Sequence, residues 1–216
     1  MTLTRRRWLF FVLAVAIIGV AAASIRAVRE RILSAAGWAL VSDAPAEPAD
    51  VIIVAVDAGR AGVLEASDLV HSGISTRVAV FSDAPDLVDA ELSRRGIPYQ
   101  NAAERSERLL RLLGVTSIQR IPRTVAGTVD EGLVLPVWCD QHQFRSIIVV
   151  STSDHSRRLS RVLRRSMNGR SIRVTVRAAR YSAFDRRRWW ATRSGIRTEI
   201  VELEKLLLDV LQYPFS

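Results

Sequence analysis

The densest run of chemically useful side chains in this sequence is Ser151-Thr-Ser-Asp-His155-Ser-Arg-Arg158. Three hydroxyls close an apolar run, and a helical pattern begins at once. Backbone N–H groups at a helix start attract anions. His155 and Arg158 stand three apart, so they share a helix face and can both reach one phosphate or carboxylate. Ser151, Ser153 and Arg158 are therefore candidate anion ligands, and His155 is also a candidate acid or base. The same letters describe a hydroxyl cap ahead of a solvated basic helix, and both readings stand at this level.

Three further stretches follow apolar runs. In Asp57-Ala-Gly59-Arg60, Gly59 lets backbone approach a ligand, Asp57 offers an acid, base or hydroxyl acceptor, and Arg60 offers a cation; an ordinary turn is the simpler reading. Ser82-Asp83-Ala-Pro85 has the form of a helix N-cap with proline in the first turn, with Ser82 and Asp83 kept as candidate ligands. Thr128-Val-Asp130-Glu131 has the form of a capping box, Thr128 answered three residues later by Glu131. Thr128 and Asp130 are candidate ligands beside it, and Glu131 is a second candidate for acid/base work.

Several chemistries are excluded. No G-x-G-x-x-G, no G-x-x-x-x-G-K-[ST] and no G-x-S-x-G occurs, and no Ser-His-Asp order can be read. The single cysteine, Cys139, rules out an intramolecular disulfide framework and a Cys-rich zinc site, and three histidines leave little for a His-based metal centre. His71 and His142 fall near helix ends and read as structural, Cys139 as core. No metal site is expected, and no cofactor is identifiable.

The elements that must position these residues alternate. Strand patterns at 51–56, 77–81, 117–121, 146–150 and 172–178 are interleaved with helical patterns at 60–72, 85–95, 103–113, 128–142 and 154–167. A break or kink is expected near Pro136. A last helix runs from about 195 to 213. This alternation predicts a Rossmann-like α/β fold: a mostly parallel sheet with helices on both faces. In such sheets ligands bind at the carboxyl ends of the strands, near a topological switch point.

Ahead of the domain, Arg5-Arg6-Arg7 precedes Trp8 through Ile25, eighteen residues without a charge. At about 1.5 Å per residue that run spans roughly 27 Å, near the ~30 Å hydrocarbon core. Residues 1–31 read as a single N-terminal transmembrane anchor. A cleaved signal peptide is the rival, with Ala21-Ala22-Ala23 as its site and Thr4-Arg5-Arg6-Arg7-Trp8-Leu9 similar to a twin-arginine signal. Both readings export the rest of the chain. Residues 32–48 read as a juxtamembrane helix and Pro/Ala-rich linker, and 49–216 as the α/β domain. Formal charge is uneven: +5 over 1–31, −6 over 32–144 and +10 over 145–216. Nearly all the positive charge is arginine; Lys205 is the only lysine. A basic last third suits an anionic partner or a solvated basic face. Nucleic acid is the less favoured partner, since it requires a cytoplasmic domain.

In order and spacing, several short motifs together resemble the domain-of-unknown-function 218 (DUF218) family, which includes the vancomycin high-temperature exclusion proteins. They are Ala49-Asp50-Val-Ile-Ile-Val54, Arg60 through Gly73, and Glu91 with Arg95-Gly96-Ile97-Pro98. Gly127-Thr128-Val-Asp130-Glu131, Ile148 through Arg158, and Trp189-Trp190…Gly195-Ile196…Glu202-x-x-Lys205 complete the set. The resemblance covers roughly residues 50–213. It implies a Rossmann-like fold and, for membrane-anchored members, a role in bacterial envelope integrity or envelope polymer biogenesis. The chain departs from the pattern at Asp57-Ala58-Gly59, where Gly-Gly is usual, at Ser82-Asp83, where a Gly is usual, and at Asp130-Glu131, where Glu-Asn is usual.

The expectation is thus a single-pass membrane protein with an extracytoplasmic α/β domain. The domain would bind an anionic small molecule or a lipid-linked phosphate at the strand ends. The alternative is a non-catalytic envelope scaffold or sensor with a degenerate pocket.

Overall fold

Runs of β-branched residues bury well on both faces of a central strand. A computed structural model of the chain, describing residues 25–215 together with Trp8, Val12 and Leu13, turns five such runs into strands. They are β1 (Val51–Val54), β2 (Arg77–Ser82), β3 (Ser117–Thr124), β4 (Ser146–Ser151) and β5 (Arg173–Ala178). Their order is β3-β2-β1-β4-β5, and every pairing is parallel. The sheet is therefore wholly parallel. β1 and β4 lie at its centre, and all four β1 residues are buried. Asp50 fastens their amino ends: its Oδ2 accepts the N–H groups of Arg145 at 2.7 Å and Ser146 at 2.8 Å. β3, at the edge, accommodates Pro122, and its register with β2 slips where that proline removes a donor.

Within residues 25–215 the helices are α1 (Arg26–Ala39), α2 (Gly59–His71), α3 (Leu87–Arg94), α4 (Ala102–Leu112), α5 (Thr128–Gln141), α6 (Ser156–Ser166) and α7 (Arg193–Gln212), with a 3₁₀ turn at Trp189–Ala191. α2 packs on α4, and α5 packs on α6, with α7 laid against α6. Right-handed crossovers put the first pair on one face and the second on the other. α2 approaches β1 through Gly62, where an added Cβ would lie 2.3 Å from Ala58 Cβ and 3.0 Å from Val54 Cγ1.

Three local expectations are corrected. Gly127, not Thr128, is the N-cap of α5, and no side chain caps it. Thr128 and Glu131 form no capping box, because Glu131 turns inward to the sheet; Asp130 instead accepts the Ala126 N–H at 2.9 Å. Ser82 and Asp83 do not cap the helix after β2. That helix starts at Leu87, behind a capping box of Asp86 and Asp89, and Asp83 accepts the first N–H of α4, from Ala102. Pro136 does not interrupt α5, which runs through it with one helical donor missing.

Among the described residues, no helix is long and apolar enough to cross a membrane. The apolar run 8–25, the expected anchor, lies almost wholly outside the described residues. The segment from α1 to β1 is fastened to the domain. Trp189 Nε1 donates to Leu33 O at 2.7 Å, and Leu40 packs with Phe184 and Leu206 in a small second core. Over 43–50, Arg173 holds Glu47 and donates to Pro48 O at 2.8 Å.

Gly62→Ala is expected to destabilise the domain by about 1–3 kcal/mol, because overpacking at this contact outweighs the gain in helix propensity. Chemical denaturation measures it; a stabilised variant would show that α2 has room to shift.

Candidate functional site

β1 and β4 are neighbours, yet their chains leave to opposite faces of the sheet. At that switch point the segments just past each strand diverge and leave a cleft. It has a volume of about 610 Å³ and is lined by Asp57, Thr128, Asp130, His155, Arg158 and Lys205, among others. Residues about a hundred positions apart meet here because parallel pairing brings the ends of β1 and β4 level, Val54 opposite Val150.

Asp57 is held on one oxygen. Ser151 Oγ and Thr152 Oγ1 donate to its Oδ2 at 3.0 and 2.9 Å, while its buried Oδ1 has no protein partner. Glu131 lies behind it, 1% exposed. Its Oε1 accepts the Val56 N–H at 2.8 Å, and its Oε2 is also unpartnered. Burial pushes the Glu131 carboxyl up; the Val56 N–H pulls it down and the Asp57 charge pushes it up again, leaving it at about 7. Two carboxyls thus lie next to each other, with Glu131 raised by its burial.

The opposite wall is cationic and contains one acid. Glu202, on α7, lies 2.8 Å from His155 Nδ1, 3.5 Å from Arg158 Nε and 2.7 Å from Lys205 Nζ. Arg158 Nη2 also meets His155 Nε2. His155 Nδ1 faces the Glu202 carboxylate and donates to it. Burial alone would raise the Glu202 carboxyl. The hydrogen bonds from His155 and Lys205 and the charges of His155 and Arg158 outweigh it and hold it at about 2. His155 and Arg158 do reach a common carboxylate, and it belongs to the chain itself. One turn earlier, Glu199 is 2% exposed with neither oxygen partnered, and burial raises it to about 7.

The structure gathers Asp57, Thr128, Asp130, His155 and Arg158 at this cleft, with Glu131 directly behind and Ser151 supporting Asp57. The other candidates lie elsewhere. Gly59 opens α2 with φ +50°, and Arg60 is exposed on that helix. Ser82 takes the Val125 N–H on its carbonyl, and Asp83 serves α4. Ser153 donates to Phe184 O at 3.2 Å and lines a separate cavity with Ser182 and Arg186. His71 and His142 each place Nδ1 2.8 Å from a carbonyl of their own helix. Cys139 is buried and its thiol pushed up to about 12. Among the described residues, no three His, Cys, Asp or Glu side chains are grouped to hold a metal.

Thr152 and Lys205 carry no assignment from the sequence, and neither does the role of Glu202. The available signal was the lone lysine among thirty arginines, three residues after a glutamate. The fold defines a Rossmann-like α/β domain with a polar switch-point cleft. No known family model matches the chain, and no curated protein matches it in sequence.

The charge states imply a stability maximum on the acid side of neutrality. Glu131 and Glu199 are raised, so the stability of burying them neutral is complete below about pH 4.5 and is lost as pH climbs through 7. Glu202 is lowered, so its contribution is present above about 4.5 and is lost as pH falls toward 2. Denaturation midpoints are expected to peak near pH 5. Glu131→Gln, which keeps the acceptor for Val56, should recover up to about 3 kcal/mol at pH 8 and nothing at pH 4. An unchanged profile would mean that Glu131 ionises normally.

Proposed function

We propose that the domain binds a phosphate-bearing anion in the switch-point cleft, and that Asp57 and Glu131 supply acid/base chemistry to it. The observation that supports this reading is one cleft lined by Arg158, Lys205 and Asp57, with Asp57 Oδ1 and, directly behind it, Glu131 Oε2 each left without a protein partner. The start of α5 adds backbone N–H groups that no side chain caps, which favour an anion.

In a hydrolytic cycle, Asp57 takes a proton from water and the water oxygen forms the new bond to phosphorus. The ester P–O bond breaks, and the proton that Asp57 took passes to the leaving oxygen, while Glu131, raised to about 7 by burial, holds or releases a proton behind Asp57. His155, its Nδ1 proton held by Glu202, positions Arg158 beside the phosphate.

The location proposed with this chemistry is the outer side of a bacterial membrane, with residues 8–25 as a single-pass anchor and cleavage of that segment as the alternative. The resemblance to the DUF218 family supports a role in envelope integrity or biogenesis. A second reading, a scaffold or sensor without turnover, is favoured by one observation: Glu202 already engages His155, Arg158 and Lys205.

Inorganic phosphate titrated into the full chain in lipid nanodiscs is expected to bind, and Lys205→Ala to weaken it about tenfold, the loss of one charge-assisted contact. p-Nitrophenyl phosphate is expected to turn over, and Asp57→Asn to abolish turnover while leaving phosphate bound. Binding without turnover selects the scaffold reading; no binding at all removes both. For the location, alkaline phosphatase fused after Ser216 should be active in cells, and an inactive, fully expressed fusion would place the domain inside.

A further inference from the structure

The polar cleft does not end at its cationic wall. A second depression, about 630 Å³, runs between α5, α6 and α7, and the two share Val129, Arg158 and Lys205 as common walls. Its character is different. Leu133 follows Val129 by one turn on α5, and Leu208 faces the same groove from α7. All three are well exposed, at 65% for Val129, 66% for Leu133 and 59% for Leu208. The floor is closed where α5 presses on α6: a Cβ on Gly132 would lie 2.7 Å from Val162 Cγ1. From Lys205 to Gln212 the groove follows α7 for about 10 Å, at ~1.5 Å per residue.

Arg165, Asp209, Gln212 and Tyr213 line the far end of the groove, Arg165 and Asp209 as an ion pair. A trough with exposed valine and leucine between that end and the cations of the cleft has the layout of a site for a molecule with a charged head and a greasy tail. Water over exposed leucine and valine is displaced favourably by hydrocarbon. Arg158 and Lys205 at the junction set the direction, because only an anionic head placed in the polar cleft leaves its chain pointing along α7.

We propose that the substrate or ligand is a phosphate monoester carrying a linear apolar chain, the phosphate in the switch-point cleft and the chain in the groove between α5 and α7. This inference rests on the phosphate reading above and adds the tail to it.

The test is a homologous series on the full chain in nanodiscs: inorganic phosphate, then ethyl, butyl, hexyl and octyl phosphate, each corrected for partition into empty discs. Affinity is expected to rise about two- to fourfold per methylene and to level off when the chain outruns the groove. The double variant Leu133→Ser, Leu208→Ser should flatten the series and leave inorganic phosphate within twofold of the unmodified protein. Circular dichroism establishes that this surface variant is folded. If phosphate binds but the unmodified protein shows no dependence on chain length, the tail site is refuted and the phosphate reading survives. If phosphate fails to bind, both fall. If the double variant splits a dimer and the series is flat, a second copy covers the groove and the proposal is wrong.

Discussion

The parallel pairing of β1 with β4 is the constraint on which the rest depends. Both strands are buried on both faces, so they run through the middle of the sheet. Their crossovers must then leave to opposite sides, because each parallel connection is right-handed. The opening between the departing segments is a consequence of topology and not of any particular residue. Level strand ends place Asp57 against Ser151 and Thr152, and Asp50 holds the other ends level.

Several arginines of the basic last third are paired with acids of the chain itself. Arg158 faces Glu202, Arg161 and Arg165 grip Asp209, and Arg177 and Arg180 grip the fully buried Glu65. Glu202 and Asp209 stand seven residues apart on α7, two helical turns, which matches the spacing of their partners on α6. Ion pairs of this kind add modest net stability but are costly to break singly. They fix which face of α7 closes the cleft. The charge asymmetry of the sequence therefore reports in part on internal pairing, and Lys205, half exposed at the rim, is closest to solvent among the cations of the site.

Most of the sheet was legible in advance because its signals are local. Val51-Ile-Ile-Val54 and Ser146-Ile-Ile-Val-Val150 have no stable place except a doubly covered strand. Gly73, Gly96 and Gly114 end helical patterns and take up positive φ, which other residues adopt at a cost. The caps were less legible. Thr128 and Glu131 satisfy the capping-box spacing, but the Val56 N–H at the end of β1 competes for the Glu131 carboxylate and wins. A local pattern gave way to a long-range donor that no spacing rule contains.

Residue types and their alternation along the chain sufficed for the α/β class, the five strands and the rim on which Asp57, His155 and Arg158 sit. Those properties follow from short-range backbone preference and burial periodicity. The protonation contrast between Glu131 and Glu202, the recruitment of Lys205, and the choice of an internal carboxylate as the partner of His155 and Arg158 are different in kind. Each depends on desolvation and on distances between elements that meet only once the sheet is assembled. Electrostatic energies depend on that separation and on the dielectric around it, and a linear string of residues specifies neither until it is folded.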